Sequence, residues 1–343
     1  MNSLERVLAA VKFNDSDQVP VIAQVFGHAA LIGGILLDEY IQDGDLLARC
    51  QLKALERYRY DAVFSVMDVN VETEALGSVL EYRKNQYAII KKYALSKEGW
   101  QNDENNLVIP DPEQAGRMPE MLKAVEILKN NLKNEVLIVG CVLGPLTLAT
   151  QLLGMETALF MAMDEPDRFA RLLDFTTGVV TRFGVAQIKA GAHLPIVFDP
   201  SASPAVVPHQ FFREFELPRL AKLFAAFKNA GSLANWLHIA GPVDSILPYY
   251  PGAGVNIANF DYCVTPETAM AKLSQLCLDG NIKPLSFVVS EPADIKAASA
   301  VLLKAFSGRG GFILSSGCEI PPESRPENVT AMVMAARNMS IME

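Results

Sequence analysis

The 343-residue sequence contains few cysteines, few histidines and no long uninterrupted hydrophobic stretch. The five cysteines are widely spaced and none forms a Cys-x-x-Cys pair, which is typical of reduced thiols in a cytoplasmic protein. The N-terminal segment is not expected to be a signal peptide, because Glu5, Arg6 and Lys12 interrupt its apolar residues. No stretch has the apolar length that a membrane helix requires, so membrane insertion is not expected.

The sequence also has fewer basic residues than acidic ones. The sequence has 30 lysines and arginines against 39 aspartates and glutamates, for a formal net charge of −9. Binding to a nucleic-acid backbone needs a basic surface, so a nucleic-acid partner is not expected. The chain also lacks a Gly-x-Gly-x-x-Gly segment after its first apolar run, because GGILL (33–37) and GRGG (308–311) have no strand-turn-helix context. This argues against a dinucleotide-binding fold.

What the sequence does contain is a regular alternation of strand-like and helix-like segments. Eight apolar runs bounded by Gly, Pro or Asp predict strands at 19–26, 61–69, 135–144, 193–200, 233–241, 254–261, 277–284 and 311–318. Amphipathic segments predict intervening helices at 121–132, 211–231, 265–276 and 294–306. This order predicts parallel strands joined by helical crossovers. Eight units favour an α/β fold with one closed (β/α)8 TIM-type barrel over an open sheet.

The same alternation bears on domain organisation. Two longer stretches, 70–118 and 145–165, do not fit the strand-helix order and are interpreted as insertions on the C-terminal face of the barrel. No composition shift or linker divides the chain. We therefore expect residues 1–343 to form a single barrel domain.

Six polar residues stand at the C-terminal ends of the predicted strands. They are Asp68, Asp199, His238, Asp261, Asn281 and Cys318. In (β/α)8 barrels the active site lies at this face, so we expect these side chains to share one mouth. A single histidine in an apolar run, as in LHIAG (237–241), is more often a buried core residue. The position of His238 at a strand end, with Cys318 on the closing strand, favours a functional role instead.

Three segments resemble the uroporphyrinogen decarboxylase superfamily and, within it, the corrinoid-dependent methyltransferase branch. They are DVNVETEALG (68–77), LHIAG (237–241) and SSGCEIPPESRPEN (315–328). The resemblance covers nearly the whole chain, because the superfamily order continues through VPV (19–21), VLGPLTLA (142–149), FDPSASP (198–204) and GNIKP (280–284). The chain is similar to the methylcobamide:coenzyme M methyltransferases. This implies an enzyme of one-carbon metabolism that moves a methyl group between a small ether, amine or thiol and the corrinoid of a separate partner protein.

The first departure from the superfamily pattern concerns arginine. The decarboxylases carry an arginine-bearing segment after the first strand, because a polycarboxylate porphyrinogen needs fixed guanidinium partners. The corresponding segment here is QVFGHAALIGG (24–34), which contains no arginine. A decarboxylase-like lyase is therefore the alternative, supported by Asp68, which lines the pyrrole-binding cleft in the decarboxylases.

The second departure concerns zinc. The resemblance implies a zinc site with His-x-Cys on one strand and a distant Cys on the last strand. His238 and Cys318 match, but Ala240 stands at the middle position and cannot coordinate metal. A replacement ligand would come from Glu72, Asp199, Asp261 or Cys141. Loss of the thiolate favours an oxygen- or nitrogen-linked methyl group over a thiol, and a catalytically silent relative without metal is a further alternative.

These observations assign candidate roles. The candidate metal ligands are His238, Cys318 and Glu72. The candidate catalytic residues, which would assist the leaving or attacking group, are His238, Asp68, Asp199 and Asp261. The candidate substrate-binding residues are His28, Asn281 and Tyr262. Glu72 and Glu74 alternate with apolar residues in VNVETEAL (69–76), so both are expected on one side of an extended segment.

Overall fold

The computed structural model describes residues 1–96 and 107–339. Eight parallel strands form one sheet with the spatial order β1-β10-β9-β8-β7-β6-β5-β2, and two further strands, β3 and β4, form an antiparallel hairpin. The strands of the large sheet are β1 Val21–Ile22, β2 Ala62–Phe64, β5 Leu137–Leu143, β6 Leu194–Phe198, β7 Trp236–His238, β8 Ile257–Asn259, β9 Cys277–Ile282 and β10 Phe312–Ser316. The hairpin strands are β3 Val79–Glu81 and β4 Ile89–Lys92. Each of the eight predicted strands is present.

Helices separate the strands, as the alternation predicts. Within the described residues they are α1 Ser3–Val11, α2 His28–Gly33, α3 Leu37–Tyr40, α4 Gly44–Tyr58, α5 Val71–Ala75, α6 Met118–Leu132, α7 Pro145–Leu153, α8 Met155–Asp164, α9 Pro166–Ala190, α10 His209–Phe211, α11 Leu217–Asn229, α12 Tyr250–Ala253, α13 Pro266–Lys272, α14 Ser286–Val289, α15 Pro292–Ala305 and α16 Pro326–Met339. A π-helical turn, Phe212–Glu216, joins α10 to α11. The predicted helix at 211–231 therefore exists, with one wider turn near its start.

The side chain of Asp61 closes the barrel between its first two parallel strands. β1 and β2 stand at opposite ends of the strand order, and their edges meet at Asp61. The Val21 N–H donates to Asp61 Oδ2 at 2.8 Å, and the Asp61 N–H donates to the Val21 carbonyl at 2.8 Å. Arg6 and Arg337 donate to the same carboxylate at 2.6 and 2.9 Å. The expected closed (β/α)8 barrel is confirmed.

Helix α4 shows how the sequence specifies a crossover. The Asp43 carboxylate accepts hydrogen bonds from the N–H groups of Asp45 and Leu46, at 2.8 and 3.0 Å, and so caps the first turn. Residues spaced by three or four then face the barrel, including the buried residues Leu47, Gln51, Ala54 and Tyr58. This spacing places one stripe of the helix on the sheet, as in the other barrel helices.

Aromatic side chains fill the barrel interior below the C-terminal face. The rings of Phe64 on β2 and Trp236 on β7 lie 6.2 Å apart, although these strands are not neighbours in the sheet. Phe26, which follows β1, lies 4.9 Å from Phe64 and 5.6 Å from Phe198. These contacts cross the barrel, so its centre is a packed core. The cavity of the candidate site lies above this core.

The two predicted insertions follow the C-terminal ends of β2 and β5. The first contains α5, the β3–β4 hairpin and the approach to α6, and its residues 97–106 lie outside the described residues. The second contains α7 and α8. The prediction of an extended segment at 69–76 is wrong. Val71–Ala75 is a short helix, in which the Glu74 N–H donates to the Asn70 carbonyl. Five residues of alternating polarity are too few to separate a strand period from a helical one.

No single helix within residues 1–96 and 107–339 is long and apolar enough to cross a membrane. α7 and α8 meet the length and composition criteria only as a pair, and the pair is bent by 108°.

Candidate active site

A cavity of about 190 Å³ opens at the C-terminal ends of the barrel strands. Its described lining residues are Phe26, Val66, Asp68, Val69, Asn70, Tyr87, Ala88, Phe198, Pro200, His238, Ala240, Cys318 and Glu319. Asp68 follows β2, His238 ends β7 and Cys318 follows β10. The structure thus brings three of the strand-end candidates from distant parts of the chain to one cavity.

His238 presents an imidazole ring without a hydrogen-bonding partner to this cavity. The residue is 2% exposed, and neither ring nitrogen has a partner among the described residues. Phe198 packs edge-on against the ring at a centroid distance of 4.8 Å. Burial lowers the pKa of His238 to about 3, so the ring is neutral at physiological pH. A neutral ring offers one donor and one acceptor to a bound molecule.

Asp68 is held by Arg117, which belongs to none of the sequence motifs. Arg117 donates from Nη1 to Asp68 Oδ2 at 2.9 Å and from Nη2 to Asp68 Oδ1 at 3.0 Å. The Asn70 N–H also donates to Asp68 Oδ1, at 2.8 Å. This fixed, charge-paired carboxylate shapes the cavity wall. Nearby Asp68 and Glu74 raise the pKa of Arg117, against the effect of burial, so the arginine stays charged.

Glu319 is a second carboxylate of the cavity. It was not among the polar residues selected at the ends of the predicted strands. Its Oε1 accepts hydrogen bonds from the Tyr87 hydroxyl and, at 3.2 Å, from the Gly27 N–H. Burial raises the pKa of Glu319 to about 7. A Cβ at residue 27 would collide with the Tyr87 hydroxyl, so glycine is required for this approach. Glu319 stands one residue beyond Cys318, so only the motif GCEI pointed to it.

Two predicted catalytic carboxylates do not line the cavity. Asp199 accepts hydrogen bonds from the N–H and the hydroxyl of Thr147, at 2.9 and 2.6 Å, in the first turn of α7. Asp261 accepts from the N–H groups of Gly241 and Tyr262, both at 2.6 Å. Both side chains are buried. Local donors hold these carboxylates beside the mouth rather than in it.

His28 is also held away from the cavity. It is the first residue of α2, and it is fully buried. Its Nε2 lies 2.7 Å from the Tyr58 hydroxyl, and its Nδ1 lies 3.1 Å from the Pro322 carbonyl. Both ring nitrogens therefore have protein partners. The structure shows His28 as a link between α2, α4 and the loop after β10.

Asn281 and Tyr262 line a separate groove on the surface. The Asn281 side chain donates to the Val264 carbonyl at 2.8 Å, which fixes the loop after β8. Tyr262 is 48% exposed, and the Lys283 ammonium lies 5.3 Å from its ring centroid. Both residues belong to a groove of about 620 Å³ between this loop and α15. The structure does not bring them to the cavity that contains His238.

The residues present do not fit a zinc site. No group of three His, Cys, Asp or Glu residues within the described ranges is placed to hold a metal ion. His238 and Cys318 are the expected donors in the cavity, and Ala240 lines it where a third donor would stand. The Glu72 carboxylate lies elsewhere and accepts a hydrogen bond from the Leu143 N–H at 2.8 Å. Burial raises the pKa of the Cys318 thiol to about 12, so it is a neutral thiol here.

Comparisons with known proteins agree with this architecture. The family model of uroporphyrinogen decarboxylase (URO-D) matches residues 2–339. Methylcobamide:CoM methyltransferase MtaA of Methanosarcina barkeri is 29% identical over 338 residues, covering 96% of each chain. The uroporphyrinogen decarboxylase of Psychromonas ingrahamii is 26% identical, covering 98% of this chain and 97% of that protein.

A solved structure gives the same result. A methyltransferase from Methanosarcina mazei superposes with a TM-score of 0.89 at 26% identity, covering 99% of both chains. The resemblance carried by the three sequence segments is thereby confirmed. The chain belongs to the uroporphyrinogen decarboxylase family.

Proposed function

We propose that this protein is a methyltransferase that moves a methyl group between a small methylated substrate and the cobalt of a corrinoid carried by a partner protein. The observation that carries the proposal is the likeness to a methylcobamide:CoM methyltransferase over 96% of both chains. The cavity at the barrel mouth supports it, because its buried histidine has no hydrogen-bonding partner in the described part of the chain and is placed to hold a ligand. When bound, the corrinoid supplies a cobalt centre that gives or takes the methyl group as a methyl cation equivalent.

The cavity residues orient the substrate in this proposal. His238 donates from one ring nitrogen and accepts at the other, so it fixes the heteroatom that carries or receives the methyl group. Phe26 and Phe198 form an apolar wall of the cavity that excludes water from the reacting atoms. Asp68 and Arg117 keep one wall rigid, because both ends of this ion pair are buried. The protein thereby supplies position rather than a strong base.

The corrinoid belongs to a separate protein in this proposal. The sequence contains no Asp-x-His-x-x-Gly segment of the kind that supplies a lower cobalt ligand. The partner then brings cobalt to the open C-terminal face. Purified protein is expected to carry no stoichiometric corrinoid absorbance, and such absorbance would contradict this part of the proposal.

Tetrapyrrole decarboxylation is less well supported by the cavity. No lysine or arginine is among its described lining residues, whereas a polycarboxylate needs several cations. Arg117 is already engaged by Asp68 and Glu74. A catalytically silent relative is also less well supported. Burying the ring nitrogens of His238 without a partner costs free energy, and a bound ligand would recover it.

Spectroscopy of a corrinoid protein tests the proposal. The corrinoid protein is mixed with this protein and, in turn, with a methylated thiol, an ether and an amine. We expect one class to give the absorbance change that accompanies methylation of the cobalt, at a rate that depends on this protein. The absence of a change with all three classes and in both directions of transfer would refute the methyltransferase proposal.

A further inference from the structure

The charges around the cavity point to the chemical class of its ligand. The described lining residues include two carboxylates, Asp68 and Glu319, and no lysine or arginine. An anionic ligand such as a sulfonate or a carboxylate needs a cation or several N–H donors to replace its water shell. The cavity offers neither in its described lining. It therefore selects against anions and is suited to neutral or positively charged compounds.

Arg117, which is paired with the cavity residue Asp68, is not available to an anionic ligand. The Nε of Arg117 donates to Glu74 at 2.6 Å, its Nη1 donates to the Ile41 carbonyl at 2.7 Å, and both Nη atoms donate to Asp68. Its side chain is only 8% exposed. Moving Arg117 towards a ligand would leave the buried Asp68 carboxylate unpaired, which is strongly unfavourable.

Glu319 differs from Asp68 because no cation neutralises it. Its Oε1 accepts from Tyr87 and Gly27, whereas its Oε2 has no hydrogen bond to any residue in the described ranges. No lysine or arginine in those ranges forms an ion pair with it. One carboxylate oxygen therefore remains for a ligand.

The other groups of the cavity complement this carboxylate. Neither His238 ring nitrogen has a partner among residues 1–96 and 107–339, although the residue is 2% exposed. Phe26 and Phe198 stand with their ring centroids 5.6 Å apart on the same wall. Aromatic faces attract organic cations, and a neutral imidazole accepts an N–H hydrogen bond. A carboxylate, a free imidazole and aromatic walls together form a site for a nitrogen compound.

We propose that the cavity binds a small nitrogen compound that carries a positive charge or N–H donors, held between the Glu319 carboxylate and the His238 ring. The inference rests on the proposed function where it takes this compound to be the methyl donor or acceptor. It separates this protein from its relatives whose names specify coenzyme M, since coenzyme M is 2-mercaptoethanesulfonate and carries an anionic sulfonate. The lack of a thiolate at Ala240 agrees with this separation.

Calorimetric titration of the full chain, without any partner protein, tests the proposal. The probes are trimethylammonium, methylguanidinium and 2-mercaptoethanesulfonate. We expect at least one cation to bind at least about 10-fold more tightly than the sulfonate, as for one hydrogen bond to a charged group. Preference for trimethylammonium would assign recognition to charge on the aromatic walls, and preference for methylguanidinium would assign it to planar N–H donors; either result supports the proposal.

Variants connect the binding to the named groups. Glu319→Gln is expected to weaken cation binding about 10- to 100-fold. Glu156→Gln is the control, because Glu156 is an exposed acid that is not among the residues lining the cavity, and it is expected to bind like the unaltered protein. His238→Leu is a second test that does not depend on Glu319→Gln folding correctly, and it should also weaken binding. The proposal is overturned if neither cation binds, if the sulfonate binds as tightly, or if both cavity variants bind like the control.

The same probes separate this inference from the proposed function. Cation binding that depends on Glu319, without methyl transfer to or from any amine, would leave the site standing and refute its assignment to the methyl substrate. Methyl transfer to 2-mercaptoethanesulfonate, without cation binding, would support the methyltransferase function and overturn the nitrogen-compound site.

Discussion

Replacement of Arg117 is the most direct test of how the cavity wall is held. In Arg117→Leu, the Asp68 carboxylate loses two hydrogen bonds of 2.9 and 3.0 Å and keeps only the one from the Asn70 N–H. The Asp68 side chain is 2% exposed, so water compensates poorly for the lost guanidinium. Breaking a buried ion pair in this way is expected to lower the free energy of unfolding by about 3–5 kcal/mol.

A double-mutant cycle isolates the contribution of the pair. Asp68→Asn alone leaves a buried guanidinium without its main partner, whereas Asp68→Asn combined with Arg117→Leu removes both charges. We expect the double variant to be more stable than the sum of the single losses predicts, with a coupling energy of about 0.5–3 kcal/mol. Urea unfolding followed by circular dichroism gives each value.

The matched control is a surface arginine. Arg182 is 51% exposed and its nearest acidic partner, Asp111, lies 3.8 Å away. Arg182→Leu is expected to change stability by no more than about 1 kcal/mol. If Arg117→Leu is as stable as Arg182→Leu, or if the two sites show no coupling, then Asp68 is not held as the structure indicates and the rigid-wall argument fails.

Three further predictions follow from the metal donors, the buried carboxylates and the barrel closure. Ala240→Cys is expected to restore a His-x-Cys and Cys donor set and to raise zinc content well above that of the unaltered protein, and adding Cys318→Ala should remove the gain; elemental analysis measures both. Burial raises the pKa of Glu72 from 4.5 to about 7, so the folded state holds that proton more tightly and stability falls as pH rises between about 4.5 and 7. Glu72→Gln should flatten this fall, by up to about 1.4 kcal/mol per pH unit, in urea unfolding at pH 5 and pH 7.5. Asp61→Leu removes the carboxylate that joins β1 to β2 and leaves Arg6 without its buried partner, so a loss of about 3–5 kcal/mol in unfolding free energy is expected.

Each of these predictions has a result that contradicts it. One tightly held zinc in the unaltered protein would show that another residue completes a metal site. A Glu72→Gln variant whose stability varies with pH as the unaltered protein does would show that Glu72 ionises freely. An Asp61→Leu variant of normal stability would show that other contacts close the barrel.

The sequence was sufficient for the barrel because its strands are buried on both faces. Segments such as LIVGCVL (137–143) are nearly continuous apolar runs, which is the pattern of parallel strands covered by helices. The apolar runs are longer than the strands they contain. For example, the run 19–26 contains only the two-residue strand Val21–Ile22. Residues after such a short strand remain apolar because they line the cavity or pack on the core. Composition therefore cannot show where strand pairing stops.

The sequence predicted only those cavity residues that lie at or just after the end of a barrel strand. Asp68, His238 and Cys318 stand at or just beyond strand ends, so barrel geometry places them together. Arg117 and Tyr87 come from the segments between β2 and β5, and no local pattern connects Arg117 with Asp68 across 49 residues. Asp199 and Asp261 also follow strand ends, but nearby N–H groups hold them. Strand position alone cannot separate a residue that caps a loop from one that lines the cavity.

The rate of methyl transfer with and without His238 tests the central claim most directly. The corrinoid protein and an active methyl compound are mixed with the unaltered protein, with His238→Ala and with the surface control Glu156→Gln, and the absorbance of the cobalt centre is followed. We predict that the unaltered protein and Glu156→Gln give equal rates and that His238→Ala, while folded and unchanged in metal content, is slower by about 100-fold or more, the usual weight of a positioned catalytic group. Equal rates for all three proteins, or no transfer by the unaltered protein with any methylated thiol, ether or amine, would contradict the account.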